Sequence, residues 1–117
     1  MSSFLIRVEL IVESRTSYGK LIRDLSRIGF YKTIITRTGE ECKLPNGNFI
    51  GEREESLRVV TQTVVRLIKN IDIGAAILVT EIKEDAIECH GLDVAQKPVR
   101  WAFLTKPFSK RLYVKTR

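Results

Sequence analysis

Three charged side chains near the start of the chain have types and spacing that suit chemistry on a phosphate. Residues 4–13 alternate between apolar and polar types, which predicts a β-strand with one face on a core. Arg7, Glu9 and Glu13 fall on the polar face of that strand. An arginine beside a carboxylate can stabilise charge at a scissile phosphate, and the carboxylates could hold Mg²⁺. The alternative interpretation is that the carboxylates are cross-strand ionic partners of Arg7.

Two further residues are candidates for the same chemistry. His90 is the single histidine of the chain and follows a predicted strand. Its ordinary pKa near neutrality suits a general acid or base acting on an RNA 2′-hydroxyl. Arg37 ends the second predicted strand beside a turn, where a side chain can reach a ligand. The alternatives are a surface histidine without a chemical role and a solvated hairpin end.

Motifs for metals and nucleotides are missing from the sequence. Cys42, Cys89 and His90 do not have the paired spacing of zinc ligands, so we predict no metal site there. Buried, reduced thiols are the expected state of both cysteines. Neither G-x-x-x-x-G-K-[ST] nor G-x-G-x-x-G occurs, which argues against a nucleotide-dependent enzyme. We therefore predict no cofactor, with Mg²⁺ as the one ion that the carboxylates could hold.

The charge of the chain is concentrated at its C-terminal end. The 117 residues carry 20 basic and 14 acidic groups, a net charge of +6. Residues 1–93 hold 13 basic and 14 acidic groups, whereas residues 94–117 hold seven basic groups and no acidic one. Such asymmetry is typical of a protein with a polyanionic partner. The alternative is a segment that covers an acidic patch of its own domain or confers solubility.

Two basic sets are the predicted contacts to nucleic acid. The C-terminal segment interleaves cations with aromatic residues, as in proteins that bind single strands. Its predicted contacts are Lys97, Arg100, Trp101, Lys106, Lys110, Arg111 and Lys115. Lys20, Arg23 and Arg27 lie at i, i+3 and i+7 on one flank of a predicted helix. The alternatives are a solvated helix face and aromatic residues that belong to a core or a dimer interface.

The apolar periodicity predicts an α+β fold. The predicted strands are 4–13, 30–37, 41–44 (resuming at 48–51 after a turn at 45–47) and 75–82, and the predicted helices are 16–29 and 52–71. Gly29 stands where the first helix would end, and Glu52, Glu54 and Glu55 stand in the first turn of the second. The nearly continuous apolar run 75–82 predicts a central buried strand. The resulting order β-α-β-β-α-β is that of a ferredoxin-like sandwich.

The predicted ferredoxin-like domain covers residues 1–83, and residues 84–117 form a C-terminal extension that is basic from residue 94 onward. Residues 86–90 are predicted as a short fifth strand, and residues 99–104 and 112–114 as further strands, a dimer-swapped arm or an ordered tail. The sequence has no apolar run of 18 residues and no basic region before its first strand. A cytoplasmic protein is therefore expected, with no membrane partner.

Four segments resemble one family of small proteins. They are Phe4–Leu10, Gly29–Ile34, Leu44–Phe49 and Leu78–Glu81, which occur in the same order. On these segments the chain resembles the small ferredoxin-like bacterial and phage proteins related to the GhoS-type antitoxin of type V toxin–antitoxin systems. The resemblance implies a fold close to that of CRISPR-associated small endoribonucleases and an endoribonuclease that cleaves a toxin messenger RNA. Those relatives place a metal-binding aspartate after strand 1, where this chain has Glu13-Ser14.

The function that these observations favour is a small RNA-interacting domain of the antitoxin type, with endoribonuclease activity as its enzymatic form. Single-stranded RNA is the expected partner. One alternative is a protein-interaction module without catalysis, in which strand 75–82 and the C-terminal aromatic residues build a homodimer. Another is a protein that binds DNA without sequence preference, because the charge argument does not distinguish the two nucleic acids.

Overall fold

The computed structural model describes residues 1–11, 15–36, 38–83, 87–95 and 113–116, with the backbone alone for Arg15 and 113–116. Within these ranges the chain forms an α+β fold, as predicted. Its elements are β1 Ser2–Glu9, α1 Arg15–Arg27, β2 Phe30–Tyr31, β3 Thr33–Thr36, β4 Glu41–Lys43, β5 Asn48–Arg53, α2 Leu57–Lys69, β6 Ala76–Ile82, β7 Glu88–Cys89 and β8 Tyr113–Thr116.

The first sheet has the strand order β2-β5-β1-β6, and its neighbouring strands are antiparallel. Alternate residues of β1 point to one face, where they join the buried side chains of both helices in one core. The buried members of this core from β1, α1 and α2 are Phe4, Ile6, Val8, Leu21, Leu25, Val60, Val64 and Ile68. Both helices therefore cover the same face of the first sheet.

The second sheet has the order β4-β3-β8-β7, in which β8 is parallel to both of its neighbours. The segment after β7 pairs with β4, since Lys43 N–H donates to Asp93 O and Ala95 N–H donates to Glu41 O, each at 2.8 Å. This pairing curls the sheet around a second apolar cluster of Ile34, Cys42 and Ile50. Leu5 packs on that cluster from the face of the first sheet that the helices leave uncovered.

The first helix agrees with its prediction. The structure has it at Arg15–Arg27, where 16–29 was expected. Gly29 follows with φ +93°, a left-handed conformation that glycine adopts without the steric penalty of a side chain. The chain can then reverse directly into β2.

The predicted start of the second helix is wrong. Residues 48–53 form β5, which pairs with β1 and β2 in the interior of the first sheet. The helix begins only at Leu57, after Ser56, whose Oγ accepts a hydrogen bond from Val59 N at 3.3 Å. A serine N-cap of this kind contributes about 1 kcal/mol to helix stability. The acidic residues expected in the first helical turn therefore lie before the helix.

The prediction that residues 75–82 form a central strand is also wrong. β6 lies at the edge of the first sheet and pairs with β1 alone among the described strands. Ile77 and Val79 face the helices, whereas Leu78 on the opposite face is 61% exposed. The face of β6 that carries Leu78 is largely uncovered, because the second apolar cluster reaches only the Ile82 end of this strand.

The predicted strand 30–37 is divided at Lys32 between the two sheets. β2 pairs with β5 in the first sheet, and β3 pairs with β4 and β8 in the second. Consequently the predicted strand 41–51 also splits, and β4 and β5 on either side of the turn belong to different sheets.

β7 lies within the predicted strand 86–90, and β8 overlaps the predicted strand 112–114. The predicted strand 99–104 lies outside the described residues. β8 is hydrogen-bonded between β3 and β7. The end of the chain thus contributes to the second sheet, and strands from both sides of the predicted domain boundary at residue 83 pair there. Neither described helix is long and apolar enough to cross a membrane.

Candidate nucleic-acid interface

The predicted basic set of α1 lies on the outer side of the helix. Lys20, Arg23 and Arg27 are exposed, and Leu21 and Leu25 are buried on the other side. Arg27 Nη1 lies 3.6 Å from Asp24 Oδ1 in an ion pair whose arginine side is largely exposed. The surface charge of α1 is therefore positive along the whole flank, with one carboxylate beside it.

A second basic stripe lies on α2, and the sequence analysis did not predict it. Arg58, Arg66 and Lys69 are exposed, and they lie at i, i+8 and i+11. At about 100° per residue these positions fall within about 80° of one another. They lie opposite the buried Val64 and Ile68 on the helix. The spacing of these three residues in the sequence is the signal that predicts this stripe.

The two stripes lie on neighbouring helices, and together we call them the basic helix face. α1 and α2 contact each other and pack on the same face of the first sheet. Asp24 is the one acidic residue within the two helices. The stripes extend about 10 Å and 16 Å along their helices at 1.5 Å per residue. The members of the basic helix face are Lys20, Arg23, Arg27, Arg58, Arg66 and Lys69.

The proposed reactive pair on β1 lies on the other side of the sheet. Arg7 and Glu9 are exposed on the face that the helices do not cover. The residues directly across from Arg7 are Asn48 on β5 and Leu78 on β6. Neither Arg7 nor Glu9 has an ion pair with another described residue. The structure therefore does not bring this pair onto the surface that carries Lys20, Arg23 and Arg27.

His90 lies beside two adjoining cavities on that same side of the sheet. The larger one, which we call the apolar groove, has a volume of about 430 Å³. Leu5, Asn48, Ile82 and His90 are among the residues that line it. Because Arg7 follows Leu5 on the same face of β1 and lies across from Asn48, Arg7 adjoins this groove. Of the predicted reactive residues, the structure thus brings Arg7 and His90 to one region.

The second cavity, which we call the polar pocket, has a volume of about 280 Å³. Thr36, Thr38, Glu40 and His90 line it together with both cysteines. Cys42 is buried, Cys89 is half-buried, and both are free thiols. Burial, followed by the charges of Glu40 and Glu41, raises the pKa of Cys42, and burial, followed by Cys42, raises the pKa of Cys89.

The raised pKa values predict slow thiol chemistry. The thiolate is the nucleophile, so alkylation of both Cys42 and Cys89 by iodoacetamide at neutral pH should be several-fold slower than that of free cysteine. The folded protein favours the neutral thiols, because their pKa values are raised above those in the unfolded chain. The free energy of unfolding should therefore fall as the pH rises through the ordinary thiol pKa and beyond. Mass spectrometry of each cysteine between about pH 7 and 10 measures the rates. The prediction would be contradicted if the alkylation rate of either cysteine stopped rising at or below the pH at which the rate of free cysteine stops rising.

Several predicted site residues lie outside the described part of the chain. They are Glu13, Arg37, Lys97, Arg100, Trp101, Lys106, Lys110 and Arg111. Lys115 is placed by its backbone in β8. Among the residues that the structure does describe, no group of three or more histidine, cysteine or acidic side chains is arranged to hold a metal ion.

Comparison with known proteins adds no further assignment. No protein-family model matches the chain, and no curated protein matches it.

Proposed function

We propose that this protein is a small RNA-interacting domain of the antitoxin type that binds single-stranded RNA in the cytoplasm. The observation that carries the proposal is the basic helix face, with six exposed cations on two packed helices that contain one carboxylate. Lysine and arginine neutralise phosphates and release condensed counterions, which supplies much of the affinity for nucleic acid.

The same pattern argues against an ordinary solvated helix face. Exposed helices commonly alternate charges of opposite sign, which form pairs along the helix. Here α2 has no acidic residue at all, and α1 has only Asp24. Apart from Arg27, which pairs with Asp24, these cations have no acidic neighbour within the two helices and repel one another in the free protein. A bound polyanion relieves that repulsion, and this favours phosphate binding over a merely soluble surface.

A ferredoxin-like arrangement is the form of the α+β fold that we propose. The strand order β2-β5-β1-β6 with two helices on one face supports it. The antitoxin assignment rests on the resemblance of four segments within residues 4–81. The fold alone assigns no function, so the basic helix face has to carry that argument.

Endoribonuclease activity is the enzymatic form of the proposal. Arg7 and His90 adjoin the apolar groove, where His90 would accept the proton of a 2′-hydroxyl that attacks the neighbouring phosphate. Arg7 would stabilise the charge on the phosphate, beside Glu9. The P–O5′ bond breaks, and the proton that His90 accepted passes through water to the departing 5′-oxygen, leaving a 2′,3′-cyclic phosphate and a 5′-hydroxyl.

The experiment measures binding of the intact protein to labelled single-stranded RNA and to duplex DNA across a salt series, with fragment sizes read on a gel. Tight binding to RNA that weakens steeply with salt is expected. No RNA binding at low salt would overturn the proposal. Equal binding of duplex DNA would favour the DNA-binding alternative, and intact RNA would leave a binder without nuclease activity.

A homodimeric interaction module is the second candidate, and the edge strand β6 favours it. No described strand pairs with the outer edge of β6, and Leu78 on it is 61% exposed. Such edges pair readily with a second copy of the same chain. If they do so here, Leu78→Lys should weaken the dimer at least tenfold, because a partner strand beside β6 would cover the apolar side chain of Leu78.

Sedimentation equilibrium of wild type and Leu78→Lys tests the dimer. Ile73→Lys is the matched control, since Ile73 is 85% exposed and lies outside the strand. A wild-type protein that stays monomeric at high concentration would reject the candidate. A dimer that Leu78→Lys leaves intact would place the interface elsewhere.

A further inference from the structure

The apolar groove and the polar pocket adjoin each other and differ in chemistry. Cys89, His90 and Leu92 line both cavities, so these residues form the shared wall. We call the pair of cavities the two-part cleft. It lies against the face of the first sheet opposite to the basic helix face, because Leu5 and Ile50 from that face line the groove. It is therefore separate from the phosphate contacts of the basic helix face, whereas Arg7 adjoins it.

The apolar groove has the lining that a flat heterocycle requires. Leu5, Ile50, Ile82 and Ile87 supply aliphatic walls, and Pro45 adds a rigid ring. A volume of about 430 Å³ falls in the range of small-molecule sites. The polar members are Asn48, Glu88 and His90. Asn48 Nδ2 donates to Pro45 O at 3.0 Å and to Asn46 O at 3.3 Å, which orients its amide.

The polar pocket presents hydrogen-bond acceptors. Thr36 Oγ1 and Thr38 Oγ1 lie 2.9 Å apart, and Glu40 N donates to Thr36 Oγ1 at 3.2 Å, so this turn is internally bonded. The side chains of Glu40 and His90 are exposed and make no hydrogen bond or ion pair with the described residues. Glu40 lines this pocket together with Thr36 and Thr38. The carboxylate is therefore placed to accept hydrogen bonds from a ligand.

We propose that the two-part cleft binds one ribonucleoside unit, with the base in the apolar groove and the ribose hydroxyls in the polar pocket. A nucleoside joins a flat, largely apolar heterocycle to a hydroxyl-bearing ring, and the two cavities repeat that division. A carboxylate is a suitable acceptor for ribose hydroxyls. The inference deepens the proposed function, on which it rests, because it supplies a way to distinguish RNA from DNA.

The distinction comes from the 2′-hydroxyl. A protein can tell RNA from DNA at a site by bonding this group. Glu40 would accept its hydrogen bond, and His90, which lines both cavities, would lie between base and sugar. A hydrogen bond to a charged group is worth enough to change affinity about tenfold or more. The cleft should therefore bind ribonucleosides about tenfold more tightly than the matching 2′-deoxynucleosides.

The test uses the full-length protein, with adenosine, guanosine, cytidine and uridine and their 2′-deoxy forms as probes. NMR titration of the His90 ring signal, or calorimetry, reports binding. At least one ribonucleoside is expected to bind about tenfold more tightly than its deoxy form, and Glu40→Ala, which has no side-chain acceptor, should remove that difference. Glu40 is exposed, so this substitution leaves the fold intact.

A second pair of variants tests the groove. Ile87→Trp should fill it and abolish binding of every nucleoside, since Ile87 lines the groove and is only half-buried. Leu78→Trp is the matched control, because Leu78 lies on the same face of the sheet but does not line the groove. Loss of binding in both variants, or in neither, would overturn the placement of the base.

Nucleoside titration tests the two-part cleft, and RNA binding tests the basic helix face. No binding of any nucleoside, or equal binding of ribo and deoxy forms, would overturn the ribonucleoside site while RNA affinity could still depend on the basic helix face. Conversely, nucleosides that bind to a protein with no affinity for RNA would overturn the proposed function and leave the cleft as a nucleoside site.

Discussion

Replacing Arg58, Arg66 and Lys69 together by glutamine is expected to weaken binding of single-stranded RNA about a hundredfold at 0.1 M salt. Each phosphate contact on a single strand contributes about 0.7 to the slope of log affinity against log salt. Loss of three contacts should therefore reduce that slope by about 2 and the affinity by about two orders of magnitude at 0.1 M salt. The three residues are exposed on α2, so the substitutions leave its buried stripe intact.

The control has to separate a binding surface from net charge. Lys32, Lys43 and Lys83 lie outside the helices, and their replacement by glutamine removes the same charge. That variant should keep nearly all of the salt slope. Fluorescence anisotropy of a labelled RNA at five or more salt concentrations gives both quantities. Equal losses in the two triple variants would mean that total charge, and not the basic helix face, determines affinity.

The α1 stripe provides an independent check. Lys20, Arg23 and Arg27 were selected from the sequence alone, and their glutamine variant should show a smaller loss, because Asp24 already compensates part of the charge of Arg27. A loss larger than that of the α2 variant would contradict this expectation and show that α1 is the principal contact. No loss in either variant would reject the basic helix face altogether.

Local patterns were sufficient to predict some elements. The alternation in residues 4–13 identified β1 and the face that it buries, although the strand itself spans Ser2–Glu9. Gly29 identified the end of α1, because the left-handed conformation there suits glycine. These features depend on the residues themselves and their near neighbours in sequence.

Other features depend on contacts between distant segments. The apolar run of β6 fits a central strand as well as it fits an edge strand. Its pairing, which is with β1 alone among the described strands, shows that β6 is an edge. The glutamates around residue 54 suit a helix start, yet the pairing of β5 with two neighbours keeps residues 48–53 extended. Periodicity describes which face of an element is apolar, and it contains no information about how many elements cover that face.

The candidate site likewise combines features that are local in sequence with features that depend on contacts between distant segments. The α1 cations are visible from helical spacing, but their union with Arg58, Arg66 and Lys69 requires the two helices to pack side by side. Similarly, nothing local to His90 indicates that it lies near Leu5 and Arg7. That proximity arises because the segment after β7 pairs with β4 and curls the second sheet over the first.

Gly51→Ala is expected to lower the free energy of unfolding by about 3 kcal/mol, near the upper end of the usual range for overpacked cores. Gly51 is buried in β5, directly across from Phe4 on β1 and Phe30 on β2. A Cβ there would collide with the carbonyl oxygen of Gly29 and lie 2.8 Å from Phe30 Cδ1. Backbone cannot move aside as a flexible side chain can, and the Phe30 ring is itself fully packed.

Gly19→Ala is the matched control, because it adds the same methyl group at a site with the opposite surroundings. Gly19 is exposed within α1, and a Cβ there would meet no atom within 4 Å. Alanine in a helix interior is favoured over glycine by about 0.5–1 kcal/mol, so this variant should be more stable than wild type. Urea unfolding followed by circular dichroism measures both changes. If Gly51→Ala unfolded at the wild-type urea concentration, β2 and β5 would have to separate at no cost, which the close approach of Gly29 to Gly51 argues against.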